Sequence, residues 1–110
     1  MEITVNEYKR VAVLTVSGRV DSATAGEFEN SINDVIEKGK HNLVLDLSQV
    51  EFLSSAGLRV LVTTRKNLQA AGGDVVLAQP SDRVVETLDT AGLDVLFERY
   101  DTREAAVAAF

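Results

Sequence analysis

Without a single cysteine, this chain can form no disulfide, no thiol nucleophile and no thiolate metal site. Its one histidine, His41, stands alone just before an apolar run and reads as a surface residue, so neither a zinc centre nor any other metal site is expected. No apolar stretch approaches the ~20 residues of a membrane span. The opening MEITVNEYKR has no basic segment followed by an apolar one, so the expectation is a cytoplasmic protein without membrane insertion. Neither G-x-x-x-x-G-K-[ST] nor G-x-G-x-x-G occurs, and no serine stands in a G-x-S-x-G elbow or at a spacing that brings His41 to it. No catalytic residue, cofactor or small-molecule ligand is therefore expected. Positive charge is also scarce: 11 Lys and Arg against 17 Asp and Glu give a net charge of -6, which argues against nucleic acid and toward a protein partner. The one basic grouping, Arg59, Arg65 and Lys66, reads equally well as a solvated helix face.

What is present is the composition of an ordinary globular protein, 45% hydrophobic and 25% charged. At 110 residues it is expected to be one domain, 1–110, large enough to bury a core without staples. Residues 3–8 and 11–17 favour strands joined at Lys9-Arg10, an opening hairpin whose turn lacks the Asn-Gly chemistry such turns prefer. Phe28, Ile32, Val35 and Ile36 recur at helical spacing, with Asp21 or Ser22 available as a cap and Gly39 as a stop. The run Asn42 to Leu47 is almost continuously apolar, as befits a central strand buried on both faces. A helix over Ala56 to Ala71 turns Leu58, Leu61, Val62 and Leu68 inward and closes at Gly72-Gly73. A strand at Asp74 to Ala78 follows, then a helix opened by Pro80-Ser81 with Val84, Val85, Leu88 and Ala91 on one face and Gly92 at its end. Val95 to Tyr100 reads as a last strand and Thr102 to Phe110 as a terminal helix. The order ββαβαβαβα predicts an α/β fold, a mixed sheet of four or five strands with about four helices packed on it.

The apolar segment VEFLSSAGLRVL is interrupted at Ser54 and Ser55, where a strand ends and a helix begins. Either serine can serve as the helix cap. The same place, at the C-terminal end of a central strand, is where open α/β sheets carry their functional loops. A helix N-terminus there would also accommodate a phosphate on either hydroxyl.

The stretch VLDLSQVEFLSSAGLRVL resembles the signature of STAS-domain proteins, which include bacterial anti-sigma-factor antagonists. LTVSGRVDSATA is similar to the family's second landmark, and AAGGDVVLA and LDTAGLDVLF fall where the family has its Gly-Gly strand entry and a later helix end. The resemblance implies a STAS-like fold over nearly the whole chain. In the antagonists the loop commonly reads D-S-[ST]-G-L, and the serine after the acid is phosphorylated by a partner kinase that is also the anti-sigma factor. With Gly57-Leu58 as anchor, Ser55 takes the acceptor position, Ala56 replaces the second hydroxyl and Ser54 replaces the acid, which makes Ser54 the second choice. Asp21 matches the acidic landmark of the neighbouring loop.

The function so implied is partner switching by a protein that is not an enzyme. Unphosphorylated, it would bind an anti-sigma serine/threonine kinase and free a sigma factor; phosphorylated at Ser55 it would let go, and a serine phosphatase would reset it. Asp21, Ser54, Ser55, Ala56, Gly57, Leu58 and Arg59 form the implied partner surface. The alternative is a STAS scaffold or regulatory subunit of a larger signalling or transporter-associated complex.

Overall fold

Lys9 and Arg10 do form the turn of an opening hairpin, closed by the Tyr8 N–H on the Val11 carbonyl (2.8 Å). In place of a favourable turn sequence, Lys40 Nζ donates to the carbonyls of Tyr8 and Lys9 and holds the turn from outside. The computed structural model describes residues 1–110. The hairpin arms are β1 (Glu2–Glu7) and β2 (Ala12–Val20). Then come α1 (Ala25–Glu37), β3 (Asn42–Leu53), α2 (Ser55–Ala70), β4 (Asp74–Ala78), α3 (Asp82–Ala91), β5 (Arg99–Tyr100) and α4 (Arg103–Ala108). The five strands make one sheet in chain order, antiparallel between β1 and β2 and parallel elsewhere, with β3 at its centre. This is the mixed sheet with four helices that the pattern predicts.

Alternation along the strands divides the core in two. Leu43, Leu45 and Leu47 of β3 face α1, α2 and α3, where they join Leu14, Val16 and Leu77 with the helical Phe28, Ile32, Leu61, Leu68 and Leu88. Each such buried side chain contributes about 1.5–3 kcal/mol. Val44 turns the other way and meets Val11, Val13, Val76, Ala78 and Ala106 of α4. Three helices thus cover one face and a single short helix the other, which is why β3 reads as continuously apolar. Gly73 is required at the entry of β4, because a β-carbon there would lie 1.8 Å from the His41 carbonyl oxygen; His41 itself is exposed.

The structure differs from the sequence pattern at several places. β3 runs on to Leu53, beyond the expected end at Leu47: the polar Ser48-Gln49 pair breaks the apolar run but not the strand, and Val50 and Leu53 return to the core. That extension pairs with β2 through register irregularities between Thr15 and Ser17 and between Gly18 and Arg19. The last strand shrinks to Arg99–Tyr100, since Asp94–Leu96 form one 3-10 turn that returns the chain from α3 and buries Phe97 while leaving Val95 84% exposed. Ala91 is exposed too, because Gly92 in the left-handed region (φ 72°) turns the chain away at the end of α3. The terminal helix is confined to Arg103–Ala108, with Thr102 Oγ1 capping it by accepting the Ala105 N–H (3.0 Å).

Candidate functional site at the C-terminal ends of β2 and β3

β2 and β3 lie side by side in parallel, so the turns that follow them meet at one edge of the sheet. The Ser54 N–H donates to the Val20 carbonyl (2.9 Å) and ties the start of α2 to the end of β2. Ser54 is in extended conformation (φ -85°, ψ 173°), and its Oγ accepts the Gly57 N–H (3.3 Å). This is N-cap geometry, so of the two candidate caps Ser54 is the one used. Ser55 becomes the first helical residue. It is exposed, and its hydroxyl takes no part in holding the helix start together.

Gly57 is buried beneath this turn. A β-carbon on it would stand 2.6 Å from Leu53 Cδ1 and 2.9 Å from Val20 Cγ1, so glycine is what lets α2 begin directly against both strand ends. Of the residues expected in a partner surface, Gly57 is thus the one that lies buried, beneath the turn that carries Ser54 and Ser55. Ala56 and Leu58 are half-buried, Leu58 against the main core, while Arg59 is exposed one turn beyond Ser55. Ala25, Gly26 and Glu29 of α1 face Ala56, Arg59 and Thr63 of α2 across a shallow groove of about 210 Å³.

Asp21 closes the neighbouring turn. Its Oδ1 accepts the N–H groups of Ala23 (3.0 Å) and Thr24 (3.2 Å), and its own N–H donates to Thr24 Oγ1 (2.9 Å). Thr24 stands at the N-cap position of α1 but makes no side-chain cap bond; Asp21, one of the two expected caps, meets the N–H groups of the turn that leads into the helix, and its carbonyl accepts the Ala25 N–H (2.8 Å). Asp21 Oδ2 is left facing outward, 3.8 Å from Arg19 Nε, and the Arg19 guanidinium lies over the Phe52 ring, 4.4 Å from its centroid. Arg19 and Phe52 escape notice in the sequence; register alone, which pairs them across β2 and β3, brings them together. Ser81 opens α3, as the sequence predicts, accepting the Val84 N–H (3.3 Å). It also donates Oγ–H to the Val50 carbonyl (2.8 Å), pinning α3 to the β3 extension.

A second polar cluster, which the sequence pattern does not reveal, sits under α4 on the opposite face. Asp46, buried in β3, accepts the N–H and Oγ–H of Ser48 on Oδ1 (3.1 and 2.8 Å). Its Oδ2 lies 3.0 Å from Arg103 Nε of α4, off the N–H axis, so the contact is an ion pair rather than a hydrogen bond. Arg103 Nη2 donates to Thr15 Oγ1 of β2. A lone acid within LVLDL signals the need for a partner, but nothing in the pattern points to a residue so far along the chain. No three His, Cys, Asp or Glu side chains converge as a metal site, and no helix is long and apolar enough to cross a membrane.

The STAS domain family matches residues 2–106. The chain is 34% identical to the anti-sigma-F factor antagonist RsfB of Mycobacterium tuberculosis over 105 residues, 96% of this chain and 85% of that protein. It is 30% identical to an anti-sigma-B factor antagonist of Listeria monocytogenes over 83 residues, 76% and 73% of the two chains. Among solved structures, an anti-sigma factor antagonist from Mycobacterium paratuberculosis superposes with a TM-score of 0.87 at 33% identity, covering 98% of this chain and 92% of that one.

Proposed function

The chain belongs to the STAS domain family, and from that premise we propose that it is an anti-sigma-factor antagonist that switches partners through phosphorylation of Ser55. The observation that carries the reading is the division of labour between the two serines. Ser54 holds the helix start and Ser55 is left exposed, so the reactive hydroxyl can be modified without loss of the cap. The partner is an anti-sigma serine/threonine kinase, which supplies ATP and Mg²⁺. Ser55 Oγ attacks the γ-phosphorus, the bond from that phosphorus to the bridging oxygen of ADP breaks, and the hydroxyl proton passes to a base of the kinase. A serine phosphatase restores the hydroxyl by hydrolysis. The chain's own part is to present the acceptor, on the same side as an Asp21 whose Oδ2, held only by the exposed Arg19 pair, offers a second contact to a cation of the kinase.

Release follows from charge. A phosphate adds ~1.5–2 negative charges where the helix dipole tolerates them, so the fold survives, while the same charge in a desolvated interface costs several kcal/mol. Each ~1.4 kcal/mol is a factor of ten in affinity. The test is site-resolved mass spectrometry of the protein from its native cells, paired with calorimetric binding of Ser55→Ala and Ser55→Asp to the kinase recovered with it. Phosphate on Ser55, retained binding by Ser55→Ala and loss of binding by Ser55→Asp are expected. Phosphate confined to Ser54, or wild-type affinity of Ser55→Asp, overturns the mechanism.

A further inference from the structure

We propose that Arg59 is the intramolecular counter-ion of a phosphate carried on Ser55, an inference that rests on Ser55 being the phosphorylated residue. Ser55 and Arg59 are separated by four residues within α2, so their side chains lie one above the other on the same helix face, and both are exposed. Arg59 has no ion-pair partner in the unmodified protein; the ion pairs formed are Arg19–Asp21 and Arg103–Asp46. Its own helix offers none, because the first turn of α2 contains no acid. With Ser54 rather than a carboxylate as the cap, nothing on α2 competes with a phosphate for the guanidinium.

The charged groups around it define what the phosphate changes. Across the groove α1 presents Glu29, and the neighbouring turn presents Asp21, already shared with Arg19. A phosphate dianion on Ser55 outweighs Glu29 as a partner and offers the planar guanidinium two oxygens at once. Phosphorylation then does two things to the partner-facing surface: it adds a dianion, and it withdraws the free cation of Arg59 from the groove between α1 and α2. The phosphatase has to meet a phosphate already held by this chain.

The experiment needs no kinase. Phosphoserine is installed at position 55 of the full chain by chemical ligation, and the ³¹P resonance is titrated through the second phosphate ionisation, at about pH 6. A cation beside the phosphate favours the dianion. The midpoint in the wild-type phosphoprotein should therefore lie on the order of 0.3 of a pH unit below that of phosphorylated Arg59→Gln. Arg59→Lys, which keeps the charge without the fork, should fall between them, and concentrated salt should shrink the difference. The helix dipole acts on all three proteins alike and cancels. Equal midpoints in wild type and Arg59→Gln overturn the proposal and leave the switching function intact. Absence of phosphate from Ser55 in cells would instead remove the function while leaving the titration result standing.

Discussion

The two polar clusters of this molecule sit on opposite faces of one sheet and use their charge in opposite ways. Under α4, Asp46 is buried and its oxygens are engaged by Ser48 and Arg103, in a cluster that ties β2, β3 and the last helix together. At the ends of β2 and β3, the polar groups are nearer the surface and their side-chain bonds are local: Asp21 Oδ1 to its own turn, Ser54 Oγ to its own helix. The first cluster is consumed by the fold. The second is ordered by the fold but leaves Ser55 and Arg59 unspent, with Asp21 Oδ2 engaged only in an exposed pair with Arg19, and unspent polar capacity on an ordered frame is what a partner can use.

That contrast is broken most forcefully at Arg103. Arg103→Ala leaves the Asp46 carboxylate buried without its cation and should lower stability in urea denaturation by about 3 kcal/mol, the low end for a broken buried pair because a third of the Arg103 side chain remains in water. Partner affinity should not change. Restoring much of the lost stability with the apolar pair Asp46→Leu and Arg103→Met would sharpen the point that this cluster serves the fold alone.

Gly57→Ala crosses the boundary between the two regions. Its methyl group meets Leu53 and Val20, so α2 must shift, and a loss of about 1–3 kcal/mol in thermal melts should come with weakened partner binding. The serines should then separate cleanly. Ser54→Ala loses the cap at about 1 kcal/mol, whereas Ser55→Ala should stay within about 0.5 kcal/mol of wild type while abolishing phosphorylation. An equal cost at both positions in parallel denaturant titrations would contradict the division of labour. Asp21→Asn should move stability least, within about 0.5 kcal/mol, because the amide oxygen can still accept the Ala23 and Thr24 N–H bonds. Calorimetric titration with the proposed kinase partner should nevertheless show weaker binding, since the side chain loses its charge.

The frame was legible because its signals are periodic or steric. The helical spacing of Phe28, Ile32 and Val35, the apolar run of β3 and the glycines ending helices are properties of neighbours in sequence, and each appears where the pattern places it. The place of the candidate site was legible for the same reason, as the break between an apolar strand and an amphipathic helix. Which serine would cap was not, because both have the right chemistry and only the backbone angles at Ser54 decide. The stacking of Arg19 on Phe52 and the pairing of Asp46 with Arg103 were illegible for a different reason: each depends on register between elements, which no single segment encodes. The overextended last strand fails similarly, since Val95 to Phe97 is apolar enough for a strand and only the path from α3 forbids it.

The sheet's strand order, identical to the order in the chain, bears on how the protein is made. Each strand pairs with the one synthesised just before it, so a growing chain leaving the ribosome can add one layer at a time, and no early strand must wait for a late one to be inserted beside it. The exception is Asp46. Its cation stands on α4, which follows every strand of the sheet in the chain, so a growing chain can hold the whole sheet before that carboxylate is neutralised, and α4 closes the structure as a latch rather than joining it as another layer.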